Sequence, residues 1–212
     1  MMKHRDSVIT CKKRLSPSKK IADTLIILIL GILLGIFSKW LDNLSINGAV
    51  WWQYILGVLD LSNVFSSFGI WILLAVMISI YSNTPLRAAL NVFLFLAGMT
   101  LSYHWYTITF SGFNPKSYMM IWYGVTLFSP IPAYMCWYAK GDGTLPLFVD
   151  ISIVTSMLLS SFGIGMWYFG FKSVIDTILF MITVVILYNN PKRSLFSLIG
   201  GVMLGYILTV FM

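Results

Sequence analysis

An acidic residue lies within one of the apolar stretches of this sequence. Asp150 follows the apolar run 147–149 and precedes Ile151. A charged group at membrane depth costs roughly 2.5–3.5 kcal/mol on insertion scales, so such a residue is a functional candidate. Arg87 and Asp23 begin two other apolar segments on the same predicted side, where they would pair with Asp150 or compete for it. Two interpretations stay open: a structural ion pair near the interface, or a carboxylate that binds a proton or a cation.

Aromatic side chains and carboxylates occur together near the ends of several apolar segments. We predict a solute pocket made of Tyr103, His104, Trp105, Trp122 and Asp176, at the level that Asp42 and Asp60 share. Aromatic faces near a carboxylate hold an organic cation, and each good cation–π contact contributes ~0.5–2 kcal/mol. The alternative is a belt of Trp and Tyr at headgroup depth. In either case His104 is expected to hydrogen-bond an aspartate or a tyrosine.

Two prolines interrupt the apolar segment 117–139. Pro130 and Pro132 remove the helical hydrogen bonds to the carbonyls of Thr126 and Phe128. Freed carbonyls at membrane depth are tolerated only where protein or water satisfies them. The sequence therefore predicts a kink or a break at Pro130 and Pro132, beside a cavity or a packed neighbour.

The composition indicates that apolar helices position all of these residues. Hydrophobic residues make up 58% of the chain and charged residues 10%, against about 45–50% and ~25% in soluble domains. An integral membrane protein is therefore expected. Seven segments separated by turn residues are long enough, or nearly so, to cross ~30 Å of hydrocarbon. They cover residues 21–40, 64–81, 86–107, 117–139, 145–163, 173–189 and 195–212.

The predicted fold is an all-α bundle of about seven transmembrane helices. Residues 1–20 form a basic cytoplasmic tail, and residues 21–212 form one transmembrane domain. The turns 81–87 and 188–193 resemble each other, because each runs from a tyrosine through a proline to a basic residue. This similarity favours two parallel three-helix units, segments one to three and five to seven, joined by segment four. The alternative is that both are ordinary short inner loops.

Basic residues predict the orientation of the chain. With the N-terminus in the cytoplasm, eleven Lys and Arg residues lie inside and three lie outside, as the positive-inside rule requires. The C-terminus then lies on the outer side. The first apolar segment is too long for a signal peptide and has no cleavage site after it, so we expect a retained helix. The tail before it orients the chain or docks on anionic lipid.

Small residues mark expected helix contacts. The motifs Gly31-x-x-x-Gly35 and Gly201-x-x-x-Gly205 lie in the first and last segments. Helix association in lipid depends on close packing at such residues. Each motif is either a seam within the chain or the face of a homo-oligomer.

The residues of common enzyme chemistries are missing from the sequence. It has no Glu, two His and two Cys, which excludes a His-Glu-x-x-His zinc site and a disulfide framework. It has no Gly-rich phosphate loop. Seven of its fourteen basic residues lie in the tail, with no nucleic-acid-binding module behind them. We expect no enzyme activity, metal, cofactor or nucleic-acid partner, although an enzyme that acts on lipid stays open.

Several runs resemble a family of uncharacterised small bacterial membrane proteins. They are 98–106, Pro115-Lys-Ser-Tyr118, Ser129-Pro-Ile-Pro-Ala133 and 137–143, and the run 31–42 looks like the start of the same family. The resemblance implies a bacterial cytoplasmic membrane and a multi-helix core, and no known activity. In size the chain is also similar to the substrate-binding subunits of energy-coupling-factor transporters, but it has no convincing Ala-x-x-x-Ala helix face for coupling.

Two functional hypotheses from different classes follow. In the first, the protein binds or transports a small cationic or aromatic solute through the outward-facing pocket, with the Pro130 kink and Asp150 as moving or coupling parts. In the second, it is a non-catalytic accessory subunit that packs against another membrane protein through its glycine seams. Its partners would then be the lipid bilayer together with a solute, a membrane protein or a second copy of the chain.

Overall fold

The computed structural model describes residues 16–44, 51–139, 141, 143–165 and 167–211. Most of the predicted cytoplasmic tail, residues 1–15, lies outside the described residues. The structure is 82% helical, which confirms the all-α class. Its helices are α1 (Pro17–Asp42), α2 (Trp51–Val58), α3 (Leu61–Ser66), α4 (Phe68–Tyr81), α5 (Pro85–Phe110), α6 (Lys116–Phe128), α7 (Pro130–Cys136), α8 (Thr144–Ser161), α9 (Val174–Leu187) and α10 (Pro191–Phe211).

Four described helices are long and apolar enough to cross a membrane: α1, α5, α8 and α10. They indicate a membrane protein, as the composition predicted. The predicted count of seven spans is not confirmed. The helices α4 and α9 have 14 residues each, about 21 Å at 1.5 Å per residue, which is less than ~30 Å of hydrocarbon. The fourth predicted segment is divided between α6 and α7.

Capping side chains and prolines explain where several of these helices begin. The hydroxyls of Ser16, Thr84 and Ser173 each accept a hydrogen bond from the backbone N–H three residues later. Such caps satisfy donors that have no partner inside the helix. Pro17 and Pro85 follow the first two caps, in a position where the missing N–H of proline costs nothing.

The structure divides into two compact units. Among the described residues, unit 1 comprises 16–44 and 78–137, and unit 2 comprises 51–77 and 138–211. This division groups the first, third and fourth predicted segments, and it differs from the predicted grouping of segments one to three and five to seven.

In unit 1, α1 packs closely along α5 at the first glycine motif. A Cβ atom on Gly31 would overlap the carbonyl oxygen of Phe95, and one on Gly35 would overlap the carbonyl oxygen of Met99. The Ser102 hydroxyl donates a hydrogen bond across this seam to the carbonyl of Ile32, at 3.0 Å. The first glycine motif is therefore occupied by packing within the chain.

In unit 2, α10 packs along α8 in the same way. A Cβ atom on Gly201 would lie 2.5 Å from Val154 Cγ1, and one on Gly205 would lie 2.9 Å from Leu158 Cδ2. The Thr155 hydroxyl donates to the Gly201 carbonyl at 3.1 Å. The second glycine motif is thus also a seam within the chain.

A short antiparallel ribbon, which the sequence patterns did not predict, follows α8 in unit 2. Strand β1 (Phe162–Ile164) pairs with strand β2 (Phe169–Phe171). The Phe162 ring contacts the Phe169, Phe171 and Phe180 rings at centroid distances of 5.1–5.5 Å. The ribbon connects α8 to α9.

Candidate solute-binding site

The seam between α1 and α5 brings polar and aromatic side chains together at one end of unit 1. Lys39 and Asp42 lie in the last turn of α1, where an i, i+3 spacing puts both on one face. Near them are Tyr103 from α5, Phe113 from the following loop, and Tyr118 and Trp122 from α6. We call these six residues the Lys39–Asp42 cluster.

Asp42 is bound by two groups of this cluster. The Tyr103 hydroxyl donates a hydrogen bond to Asp42 Oδ2 at 2.7 Å. Lys39 Nζ lies 3.8 Å from the same oxygen, and the side chains of Lys39 and Asp42 are only 8% and 16% exposed. Because both side chains are largely removed from solvent, their ion pair is screened less than an exposed one.

The Lys39 ammonium group also lies against aromatic rings. Its Nζ atom is 5.4 Å from the ring centroid of Tyr103 and 5.4 Å from that of Phe113. Both distances are within the ~6 Å range of cation–π attraction. The contacts that were predicted for an organic cation are therefore made by a lysine of the chain itself.

The aromatic part of the cluster continues from α5 onto α6. The Tyr103 and Tyr118 ring centroids are 6.2 Å apart, and those of Tyr118 and Trp122 are 6.4 Å apart. Trp122 is buried, while Tyr118 and Phe113 are exposed. The cluster thus has a buried side, and its exposed rings give it an accessible side.

The residues that were predicted to form one solute pocket lie in several different places in the structure. Tyr103 and Trp122 lie in the Lys39–Asp42 cluster. His104 bonds the Tyr123 hydroxyl through Nδ1 at 2.5 Å and Asn114 Oδ1 through Nε2 at 3.0 Å, and a tyrosine partner was among those expected. Trp105 is 57% exposed and packs edge-on against Phe110.

Asp176, the fifth predicted pocket residue, belongs to unit 2. It lies in the first turn of α9, where its backbone N–H donates to Ser173 Oγ at 3.0 Å and its Oδ2 accepts from the Ser173 hydroxyl at 3.1 Å. The first bond is a side-chain cap of the helix start, and the second holds the carboxylate against the capping hydroxyl. Its immediate role is therefore to fix the start of α9.

Asp150 forms an ion pair with Arg193, which was not among the partners expected from the sequence. Arg193 Nη2 and Nε lie 2.5 and 3.1 Å from Asp150 Oδ2, and Asp150 is 1% exposed. Arg87 instead donates to the Lys20 carbonyl and the Thr24 hydroxyl, within unit 1.

Asp23, the other predicted partner, is half-buried in the second turn of α1. It belongs to unit 1, like Arg87, whereas Asp150 and Arg193 belong to unit 2.

The helix in which Pro130 and Pro132 lie is divided at Ser129. The Ser129 backbone stays helical, with φ −54° and ψ −30°. Its hydroxyl donates to the Thr126 carbonyl at 2.8 Å, which is the carbonyl that Pro130 leaves without its usual donor. The serine next to the proline thus satisfies the freed group.

Sequence reasoning missed four site residues: Lys39, Phe113, Tyr118 and Arg193. The i, i+3 spacing of Lys39 and Asp42 was a usable signal for the first of them. The partnership of Arg193 and Asp150 spans 43 positions and has no comparable local signal. Within the described part of the chain, no group of three or more His, Cys, Asp or Glu side chains is arranged to hold a metal ion.

No protein-family model, curated protein or solved structure matches this chain. The resemblance to small bacterial membrane proteins therefore stays an expectation from the sequence.

Proposed function

We propose that this protein binds a small organic cation at the Lys39–Asp42 cluster and carries it across a bacterial cytoplasmic membrane. The observation that carries the proposal is the position of the Lys39 ammonium group, held by one carboxylate and two aromatic rings. These are the contacts that recognise an ammonium group in a ligand. A solute amine would take the place of the lysine, and the lysine would return when the solute leaves.

The proposed topology has about seven membrane crossings, with the N-terminus in the cytoplasm and the C-terminus outside. Three longer ranges have enough length at about 1.5 Å per residue to supply the other crossings of ~30 Å. They are residues 61–81, which contain α3 and α4, residues 116–136, which contain α6 and α7, and residues 169–189, which contain β2 and α9. With this topology the Lys39–Asp42 cluster faces the outside. The proposal requires no catalytic step and no cofactor.

Two features support movement of the solute rather than binding alone. The junction of α6 and α7 is weakened at Pro130, because a proline provides no backbone N–H, and interrupted helices are frequent at transporter sites. Asp150 and Arg193 form a buried charge pair in unit 2, and buried charges in transporters commonly act in coupling. We propose the first as a hinge and the second as a coupling element.

Thermal unfolding of the purified full-length protein in detergent tests the proposal. Choline, tetramethylammonium and phenethylamine are the probes, and the neutral carbon isostere of choline is the matched ligand control. A ligand at 100 times its dissociation constant adds ~2.7 kcal/mol of stability. We expect at least one amine to raise the melting temperature and the neutral isostere to leave it unchanged.

Matched variants locate the site. Tyr103→Phe removes the hydroxyl that donates to Asp42 and should weaken amine binding, whereas Tyr188→Phe, at an exposed position, should not. If no amine stabilises the protein, or if both variants respond alike, the proposed site is wrong. Stable co-purification of another membrane protein in that case would favour the accessory-subunit hypothesis.

A further inference from the structure

A carboxylate oxygen in unit 2 is buried without a hydrogen bond. Asp176 is 5% exposed, and its Oδ1 atom has no hydrogen-bond partner among the described residues. Buried polar atoms are almost always satisfied by protein, water or an ion, and an unsatisfied charged oxygen costs more than a neutral one. The hydrogen bond that the Ser173 hydroxyl donates uses only the other oxygen, Oδ2.

A glycine lies beside this oxygen. A Cβ atom on Gly69, in α4, would lie 3.0 Å from Ser160 Oγ and 3.7 Å from Asp176 Oδ1. Any other residue at position 69 would fill the space that these two oxygens border. The absence of a side chain at Gly69 therefore lets a carboxylate oxygen and a hydroxyl oxygen share this space without a Cβ atom crowding them.

The end of α8 next to this space already attracts a positive charge. Lys172 Nζ donates hydrogen bonds to the carbonyls of Leu159 and Ser160, at 3.0 and 2.8 Å. The last carbonyls of a helix carry a partial negative charge and favour cations. In transporters, the C-terminal ends of interrupted helices supply ligands to coupling ions.

The formal charges around the space do not balance. Asp60 and Lys172 are both near enough to Asp176 for their charges to interact with it. Two carboxylates and one ammonium group sum to −1. Lys172 makes no ion pair with Asp176 within 4.0 Å, because the ion pairs of the described residues are Lys39–Asp42 and Arg193–Asp150. One monovalent cation would neutralise the group.

We propose that Asp176 Oδ1 and Ser160 Oγ, with the space at Gly69, form a binding site for a small monovalent cation of the sodium type. Its ligands are hard oxygens, which suit such an ion. A divalent ion would leave these charged groups with a net charge of +1, whereas a monovalent ion neutralises them. This site lies in unit 2 and is independent of the proposed organic-cation site in unit 1.

The test is sodium binding by the full-length protein in detergent, with sodium chloride exchanged for potassium chloride at constant ionic strength. We expect a saturable rise of the melting temperature with sodium and a broadened sodium NMR line that excess lithium reverses. Equal melting temperatures in the two salts, with no line broadening, would overturn the proposal.

Variants assign the site to these residues. Ser160→Ala should raise the dissociation constant for sodium by about tenfold or more, which corresponds to ~1.4 kcal/mol, whereas Ser156→Ala, on an exposed face of α8, should leave it unchanged. Gly69→Ala should abolish binding while keeping the Asp176 carboxylate, so it remains informative where Asp176→Asn does not fold. Wild-type sodium binding in Ser160→Ala and Gly69→Ala would place the ion elsewhere and refute the assignment.

Discussion

The buried ion pair of Asp150 and Arg193 gives a prediction whose size follows from its geometry. Arg193→Met removes both hydrogen bonds to Asp150 Oδ2 and leaves a carboxylate that is 1% exposed without this partner. A hydrogen bond to a charged group contributes ~1.5–3 kcal/mol, and removal of one member of a buried pair costs about 3–5 kcal/mol. We expect Arg193→Met to lower the free energy of unfolding by about 3–5 kcal/mol.

The assay is unfolding of the purified protein in mixed micelles by increasing mole fractions of sodium dodecyl sulfate, followed by circular dichroism. Lys192→Met is the matched control, because it removes the same charge from the adjacent, exposed position. Surface substitutions of this kind usually change stability by no more than ~0.5 kcal/mol.

The double variant Asp150→Leu/Arg193→Met completes a thermodynamic cycle. Replacing both members of a buried pair with apolar side chains is often neutral or stabilising, so the double variant should be less destabilised than the two single variants added together. Equal stabilities of Arg193→Met and Lys192→Met, or strict additivity in the cycle, would refute the reasoning about this pair.

Three further substitutions test the packing of unit 1. Gly31→Leu should destabilise the protein strongly, because its Cβ atom would overlap a backbone carbonyl of α5. Gly124→Leu should be tolerated, because no atom lies within 4 Å of a Cβ atom at that position. Detergent unfolding compares the two variants, and equal destabilisation would contradict the close packing of α1 against α5. Ser129→Ala should cost ~1 kcal/mol by removing the hydroxyl donor to the Thr126 carbonyl and leaving only the longer bond from the Ser129 backbone N–H, at 3.3 Å; the measurement is a decrease in melting temperature. Trp137→Phe should cost ~1–3 kcal/mol, because the Trp137 indole donates to a buried backbone carbonyl; an unchanged unfolding midpoint would contradict that bond.

The helical membrane class was predictable from the sequence because it depends on composition and on the capping residues and prolines at helix ends. Thr84-Pro85 and Asn190-Pro191 mark the starts of α5 and α10 in the sequence and in the structure. These signals act over a few residues, through capping and through the missing N–H of proline. They need no knowledge of which helices are neighbours.

The span count was less predictable because hydropathy does not detect every local break. The segment 64–81 is apolar throughout, yet α4 begins only at Phe68, after Ser67 takes an extended conformation. The predicted helical segment 145–163 includes two residues that belong to strand β1 in the structure. Gly163 and Gly165 favour a turn there, and the apolar side chains around them masked that signal.

The composition of the site could be predicted only in part. Tyr103 and Trp122 were identified because aromatic residues near carboxylates have a recognisable chemistry. The positions of Lys39 and Phe113 relative to Tyr103, and the distribution of His104 and Trp105 over other contacts, depend on how α1, α5 and α6 are rotated and offset. That information is set by the glycine seam and is not contained in any one segment.

The central claim is that an amine solute and the Lys39 side chain compete for Asp42 and its aromatic neighbours. Isothermal titration of the wild-type protein, Lys39→Met and Asp42→Asn with choline, tetramethylammonium and phenethylamine tests it directly. Removal of the lysine frees the ion-pair and cation–π contacts, together about 1–2 kcal/mol, so Lys39→Met should bind the best of these amines roughly 5- to 30-fold more tightly. Asp42→Asn should bind it more weakly. Unchanged or weaker binding by Lys39→Met, or unchanged binding by Asp42→Asn, would contradict the account.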